Sequence, residues 1–226
     1  MGHLAFWLRI AALSLVLSQV QAGTALAQEC STVGQLYSID GEVTVQRHGS
    51  WQRGVLNQSL CAHDAVRTGS LSRAAVMLIN EAVLRIDQDS TVYLVDITAD
   101  EQKRSLLDLT QGAFQSFSRR PRALEVNTPY LNAAVQGTEF VIRAEAGKTS
   151  LTVFEGTVAA GNQHGKISVG SGHSVWSSGG APHSFVLVRP RDAVQWGLYY
   201  PPILAISGSS LNGVRPEFAA SAAKAA

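Results

Sequence analysis

From Gly34 to Val188 the chain is a succession of short alternating runs, each cut off by Gly, Asn, Asp or Ser. No other feature constrains the fold as much. The runs "GEVTVQR", "RAAVMLI", "AVLRI", "TVYLVDI", "SLLDL", "GAFQSF", "ALEVN", "EFVIR", "TSLTVFEG", "TVAAG", "KISVG" and "HSFVLVR" have the period of two that puts one face of a strand in a core. Twelve such runs with no helical period between them predict an all-β domain.

One element recurs within that pattern. Leu36 to Val43, Leu107 to Phe114 and Leu151 to Val158 share a frame with an aliphatic residue first, glycine five positions on (Gly41, Gly112, Gly156), and an apolar residue two beyond the glycine. The frame reads as a strand, a bend where a side chain would clash or φ must be positive, and a new strand. The copies stand 71 and 44 residues apart, which is no strict short-period repeat. Repeated corners of this kind predict a solenoid-like or two-layered β stack of short strands rather than a closed barrel.

The N-terminus has a different composition. "MGHLAFWLRI AALSLVLSQV QAGTALA" carries one cation, Arg9, an apolar run from Ile10 to Val20, and Ala-Leu-Ala at 25–27. That is the layout of a secretory signal peptide cleaved after Ala27, and the apolar run is too short for a spanning helix. Retention as a membrane anchor is the alternative. Without Arg9 the 18 basic residues fall to 17, against 17 acidic ones. A neutral mature chain lacks the cationic footprint of a nucleic-acid binder. Export also bears on the two cysteines, Cys30 and Cys61, which a periplasmic or secreted protein is expected to join.

Beyond the strands, "VRPRDAVQWGLYYPPIL" predicts a short helix started by Pro190 and stopped by Pro201-Pro202, and a Gly/Ser linker with an Ala-rich tail follows. The chain thus divides into a signal peptide (1–27), a β domain (28–189), a helical aromatic junction (190–204) and a tail (205–226).

Chemistry is sparse. There is no phosphate loop, dinucleotide fingerprint, nucleophile elbow, zinc-protease helix or paired-cysteine motif, and the histidines are scattered through turns. The residues predict no enzyme, no cofactor and no metal site. Two groups suit a partner protein or envelope polymer: the basic knot Arg119, Arg120 and Arg122, and the aromatics Trp196, Tyr199 and Tyr200. A glycan-binding alternative needs converging carboxylates such as Asp96, Asp108 or Glu155.

Three stretches in order (64–94, 107–142 and 151–160) resemble FecR-like domains. The likeness is carried by Val66-Arg67-Thr68-Gly69, by Gly112-Ala113-Phe114, by the run from Val126 through Pro129 to Gly137-Thr138-Glu139-Phe140, and by Val153 to Val158 with Gly156. It covers roughly residues 34 to 160 and implies an extracytoplasmic sensory module. Proteins similar to FecR itself relay iron-siderophore signals across a membrane helix to a sigma-regulating segment. That plan is not matched here, because nothing precedes the signal peptide and no internal segment spans. The expected function is therefore exported, non-enzymatic envelope sensing or scaffolding, with a membrane-anchored signalling regulator as the alternative. Glu139 is expected to fix a bend, by accepting backbone N–H groups or by pairing with Arg67 or Arg143.

Overall fold

The computed structural model describes residues 30–100, 103–118 and 123–186. Within them the chain forms β1 (Thr32–Asp40), β2 (Val43–Arg47), β3 (Ser50–Arg53), β4 (Ser59–Cys61), β5 (Ala65–Thr68) and β6 (Arg73–Leu78). There follow β7 (Val83–Ile86), β8 (Thr91–Asp96), β9 (Ser105–Phe117), β10 (Ala123–Asn127), β11 (Asn132–Gln136) and β12 (Glu139–Glu145). The last are β13 (Lys148–Glu155), β14 (Thr157–Asn162), β15 (Gly165–Gly170), β16 (His173–Ser177) and β17 (His183–Val186).

The strands pair into two sheets. Sheet A runs β4-β1-β6-β7-β9-β12-β13-β16-β17. Sheet B runs β3-β2-β5-β8-β9-β10-β11-β14-β15. β9 belongs to both: Ser105 to Gln111 lie in sheet B and Gly112 to Phe117 in sheet A. Every pairing is antiparallel except β9 with β10. The sheets do not close on themselves, so the expected two-layered stack is what the chain builds.

Alternation places the core between the layers. Val76, Leu84, Phe114, Phe140, Ile142 and Leu151 of sheet A meet Val45, Val66, Leu94, Leu107, Val126 and Val158 of sheet B in one buried cluster. Phe114 and Phe140 pack edge to face, with ring centroids 6.1 Å apart. Burial of this kind is worth roughly 1.5–3 kcal/mol per large side chain.

The layers are joined where the chain crosses between them. Gly41, Gly112 and Gly156 each stand at such a crossing, with φ of 76°, 85° and 84°. Each lies against a hydroxyl residue that starts a neighbouring crossing strand. A Cβ on Gly41 would sit 2.4 Å from Ser72 Oγ, one on Gly112 2.2 Å from Ser90 Oγ, and one on Gly156 2.5 Å from Thr138 Cγ2. The residue before each hydroxyl is left-handed as well: Leu71 at 52°, Asp89 at 52° and Gly137 at 60°. In two corners the peptide after the glycine is then clasped. Glu42 N–H donates to Ser72 Oγ at 2.8 Å and Ala113 N–H to Ser90 Oγ at 2.9 Å.

Each of the twelve predicted runs holds a strand, the last as far as Val186 where the described residues end, and "SLLDL" and "GAFQSF" fuse into β9 across the Gly112 bend. Strands β1, β3, β4, β5, β11 and β16 are not among those runs, being very short or interrupted by polar residues. Neither cysteine is free; Cys30 and Cys61 are disulfide-bonded. Among the described residues no helix is long and apolar enough to cross a membrane. The signal segment, the 190–204 junction and the tail lie outside the described residues.

Gly112→Ala is expected to lower unfolding free energy by about 3 kcal/mol, combining a left-handed alanine with a backbone clash. Gly49→Ala, at φ 80° with nothing within 4 Å of the added Cβ, keeps only the conformational cost, about 1 kcal/mol. Urea denaturation of the two variants checks the difference. Reduction of the Cys30–Cys61 bond, which closes a loop of roughly 30 residues, is expected to cost about 3–4 kcal/mol in the same assay.

Candidate functional site

The described strands leave two outer faces, and these differ in character. On sheet A one cross-strand row runs Ala75, Arg85, Gln115, Val141, Thr152, Ser174 and Phe185. Its middle is buried: Gln115 is 4% exposed, Val141 and Thr152 5%, Ser174 0%. Around it are ion pairs and stacked rings. Arg143 Nη2 lies 3.1 Å from Asp87 Oδ2, with Arg73 Nε 3.9 Å from the other carboxylate oxygen. The Arg85 guanidinium lies 5.0 Å from the Phe117 ring centroid, and Trp176 stacks on His183 at 4.9 Å.

Sheet B has an open outer face. Strands β10, β11, β14 and β15 form the floor of a trough of about 360 Å3. Its rows are Glu125-Ala134-Ala159-Ser168 and Asn132-Gly161-Lys166. Arg104 Nη1 donates to Glu125 Oε2 at 2.8 Å, while the arginine side chain stays 57% exposed. The rim is fixed by Asn162, whose Nδ2 donates to Tyr130 O, Ser177 Oγ and Gly180 O at 2.7–3.0 Å. Farther along the same face the Arg67 guanidinium sits 3.9 Å from the Trp51 ring centroid, and its Nε donates to Thr91 Oγ1 at 3.3 Å.

The residues singled out in the sequence separate into fixtures and side chains outside the described region. Val66 is core, and Thr68 is a clasp, its hydroxyl accepting Ser90 N–H at 3.0 Å and donating to Asp87 O. Gly69 N–H donates to Glu42 O at 2.8 Å, so the turn begins at Gly69 and the three residues before it belong to β5. Thr128, ahead of Pro129, closes its own turn: its Oγ1 donates to Leu131 O at 2.6 Å and lies 2.9 Å from Thr149 Oγ1. Pro129 lines a second cleft of about 590 Å3, near Gly112.

Thr138 is 4% exposed and its Oγ1 has no hydrogen-bond partner among the described residues; Phe140 is core. Glu139 departs from expectation. Its Oε1 accepts Gln115 Nε2 at 2.6 Å, a side-chain amide instead of Arg67 or Arg143, because Arg67 is on the other sheet and Arg143 is engaged by Asp87. The bond joins β12 to β9 beside the corner.

Asp64 is not singled out by the sequence, although it opens the first FecR-like stretch. It is 2% exposed and takes both Nε and Nη2 of Arg47, the latter at 2.7 Å, plus Cys61 N–H at 2.8 Å. The hydrogen bonds to Asp64 hold the Arg47 guanidinium above its ordinary pKa, with its partial burial opposing and the carboxylate charge reinforcing. That stabilisation is complete below the ordinary arginine pKa and is lost only in strong alkali. An Asp immediately before an apolar strand run is the one sequence signal that could have found it.

Arg104, Glu125 and Lys166 also escape a reading of the sequence, since only the parallel β9–β10 pairing brings two of them together. Asp96 and Asp108 lie on neighbouring strands of sheet B, where Asp108 Oδ1 accepts Asn127 Nδ2 at 2.9 Å, and Glu155 lies on sheet A. Among the described residues no three His, Cys, Asp or Glu side chains cluster as metal ligands. Arg119, Arg120, Arg122, Trp196, Tyr199 and Tyr200 lie outside the described residues.

Asp64→Ala is expected to cost about 2–3 kcal/mol by stranding the half-exposed Arg47 and the buried Cys61 N–H. Glu139→Gln, which keeps the shape and loses the charge-assisted bond, is expected to cost about 1 kcal/mol. Thermal melts near neutral pH measure both.

Residues 64–159 match the family model described as FecR protein. The matched segment starts at Asp64 and ends in β14, spanning two of the three glycine corners. Two crystal structures described as a candidate anti-sigma factor from Parabacteroides distasonis ATCC 8503 share the fold, with TM-scores of 0.52 and 0.53 at 13% identity. Each superposition covers 58% of this chain and 63% of the other, less than two thirds of that protein's length. Comparison with curated protein sequences finds no match.

Proposed function

We propose that this chain, which matches the FecR model over residues 64–159, is an exported, non-enzymatic module that senses or scaffolds at the cell envelope by binding a protein partner. The observation that supports this is a stack locked at its corners, whose sheet B presents an open polar face. Such a platform gives a partner a rigid surface at small ordering cost. The family match, and the description of the structural neighbours as anti-sigma factors, favour signalling as the setting in which binding is used. The layout of residues 1–27 favours export with cleavage after Ala27, and a disulfide suits an oxidising compartment.

A second reading keeps residues 1–27 as an anchor and makes the chain a membrane-bound regulator of transmembrane signalling. Intact mass of protein recovered from its native envelope separates the two. The expected mass begins at Gln28 and is two hydrogens below the reduced value. A chain retaining Met1 in the membrane fraction overturns the exported reading in favour of the anchored one.

A further inference from the structure

We infer that the trough on the outer face of β10, β11, β14 and β15 is the docking site for an extended acidic peptide segment of the partner protein. This rests on the protein-binding reading above. The face of sheet A is closed to such a segment along its central row, where Gln115, Val141, Thr152 and Ser174 are buried. The trough is open, with Ala159, Lys166 and Ser168 exposed along it.

Its floor admits a backbone. Ala134 pairs with Ala159 and Asn132 with Gly161, so of these four positions only Asn132 carries more than a methyl group. Gly161 is held to that size by its surroundings: a Cβ would meet Lys166 Cγ at 2.8 Å and Gly165 O at 2.9 Å. Four strands span about 14 Å at the usual inter-strand spacing. That matches roughly four residues of an extended chain.

Its charge selects the segment. Among the described residues Arg104 and Lys166 line the trough against a single carboxylate, Glu125. One Arg104 nitrogen is taken by Glu125 at 2.8 Å, and the exposed remainder of the guanidinium still has donors for an incoming carboxylate. Gln163 and Asn132 add amide groups suited to a peptide backbone. Among the described residues no aromatic ring lines the trough, and a sugar or a base would use such a ring as its stacking platform.

The test uses the full mature chain carrying a benzoylphenylalanine photocrosslinker at Ala159, in the trough, or at Thr44 or Phe185, away from it, expressed in the native envelope. It is paired with fluorescence anisotropy of a labelled eight-residue peptide of alternating Glu and Thr. The expected result is a protein adduct from Ala159 that is lost in Lys166→Glu. The peptide is expected to bind saturably, at least about tenfold more weakly in the Arg104→Glu/Lys166→Glu variant and in 0.3 M salt. Both charge reversals are on exposed side chains, and an unchanged thermal melt confirms folding.

Adducts from Thr44 or Phe185 with none from Ala159 overturn the trough and leave the protein-binding reading standing. Adducts from no position overturn both. Equal binding of a Gln/Thr peptide, or amide shifts confined to the free edge of β15, also overturn the inference.

Discussion

The structure depends on a contact made at three places: a left-handed glycine seated on a serine or threonine where two strands cross together from one sheet to the other. Two layers of short strands can be held together by side-chain burial alone only if the crossings do not force them apart. Gly41 on Ser72, Gly112 on Ser90 and Gly156 on Thr138 let the crossing backbones approach closer than any Cβ allows. The hydroxyl then fills the hydrogen-bond requirement that the bend creates, since a peptide N–H turned out of its ladder and buried would be costly. The third corner is the variant. Thr138 gives its methyl to Gly156 and leaves Oγ1 without a partner among the described residues, in keeping with a branched side chain where the other corners have serine.

These corners also explain the residues that carry the FecR resemblance. Val66-Arg67-Thr68-Gly69 contributes a core residue, an outward cation, a hydroxyl clasp and a turn. Gly137-Thr138-Glu139-Phe140 contributes the left-handed position, the corner hydroxyl, an amide-bonded carboxylate and the ring that meets Phe114. Such residues concern how the stack is built. The polar groups at the open trough come from other positions, so the fold and this surface can vary independently.

Much of this was legible in the sequence for a simple reason. Period-two alternation with Gly, Asn and Asp breaks is a local signal, and the glycine frame recurs with enough regularity to reveal corners before any pairing is known. Illegible were the features made by pairing between distant segments. β9 reads as two strands because Gly112 interrupts its alternation, and only the ladder partners show that it continues from sheet B into sheet A. Glu139 finds Gln115 because β12 lies beside β9, a neighbour 24 positions away in sequence. The same holds for Arg104 with Glu125, joined by a parallel pairing that no hairpin rule anticipates. Strands of three or four residues, such as β4 and β5, carry too few alternations to register.

The folding unit extends beyond the matched family segment on both sides. Asp64 begins the match, yet its carboxylate is committed to Arg47 and Cys61, both earlier in the chain. Ser72 is seated against Gly41, and β5 and β6 take β2 and β1 as neighbours through the registers Val66 with Val45 and Val76 with Leu36. Leu36, Val43 and Val45 are buried in the same cluster as Phe114 and Phe140. At the other end β15 and β16 flank β14 and β13, burying Val169 and Val175. The segment that matches the FecR model is thus the middle of the stack, and the trough walled by Lys166 exists only because β15 extends that middle by one more strand.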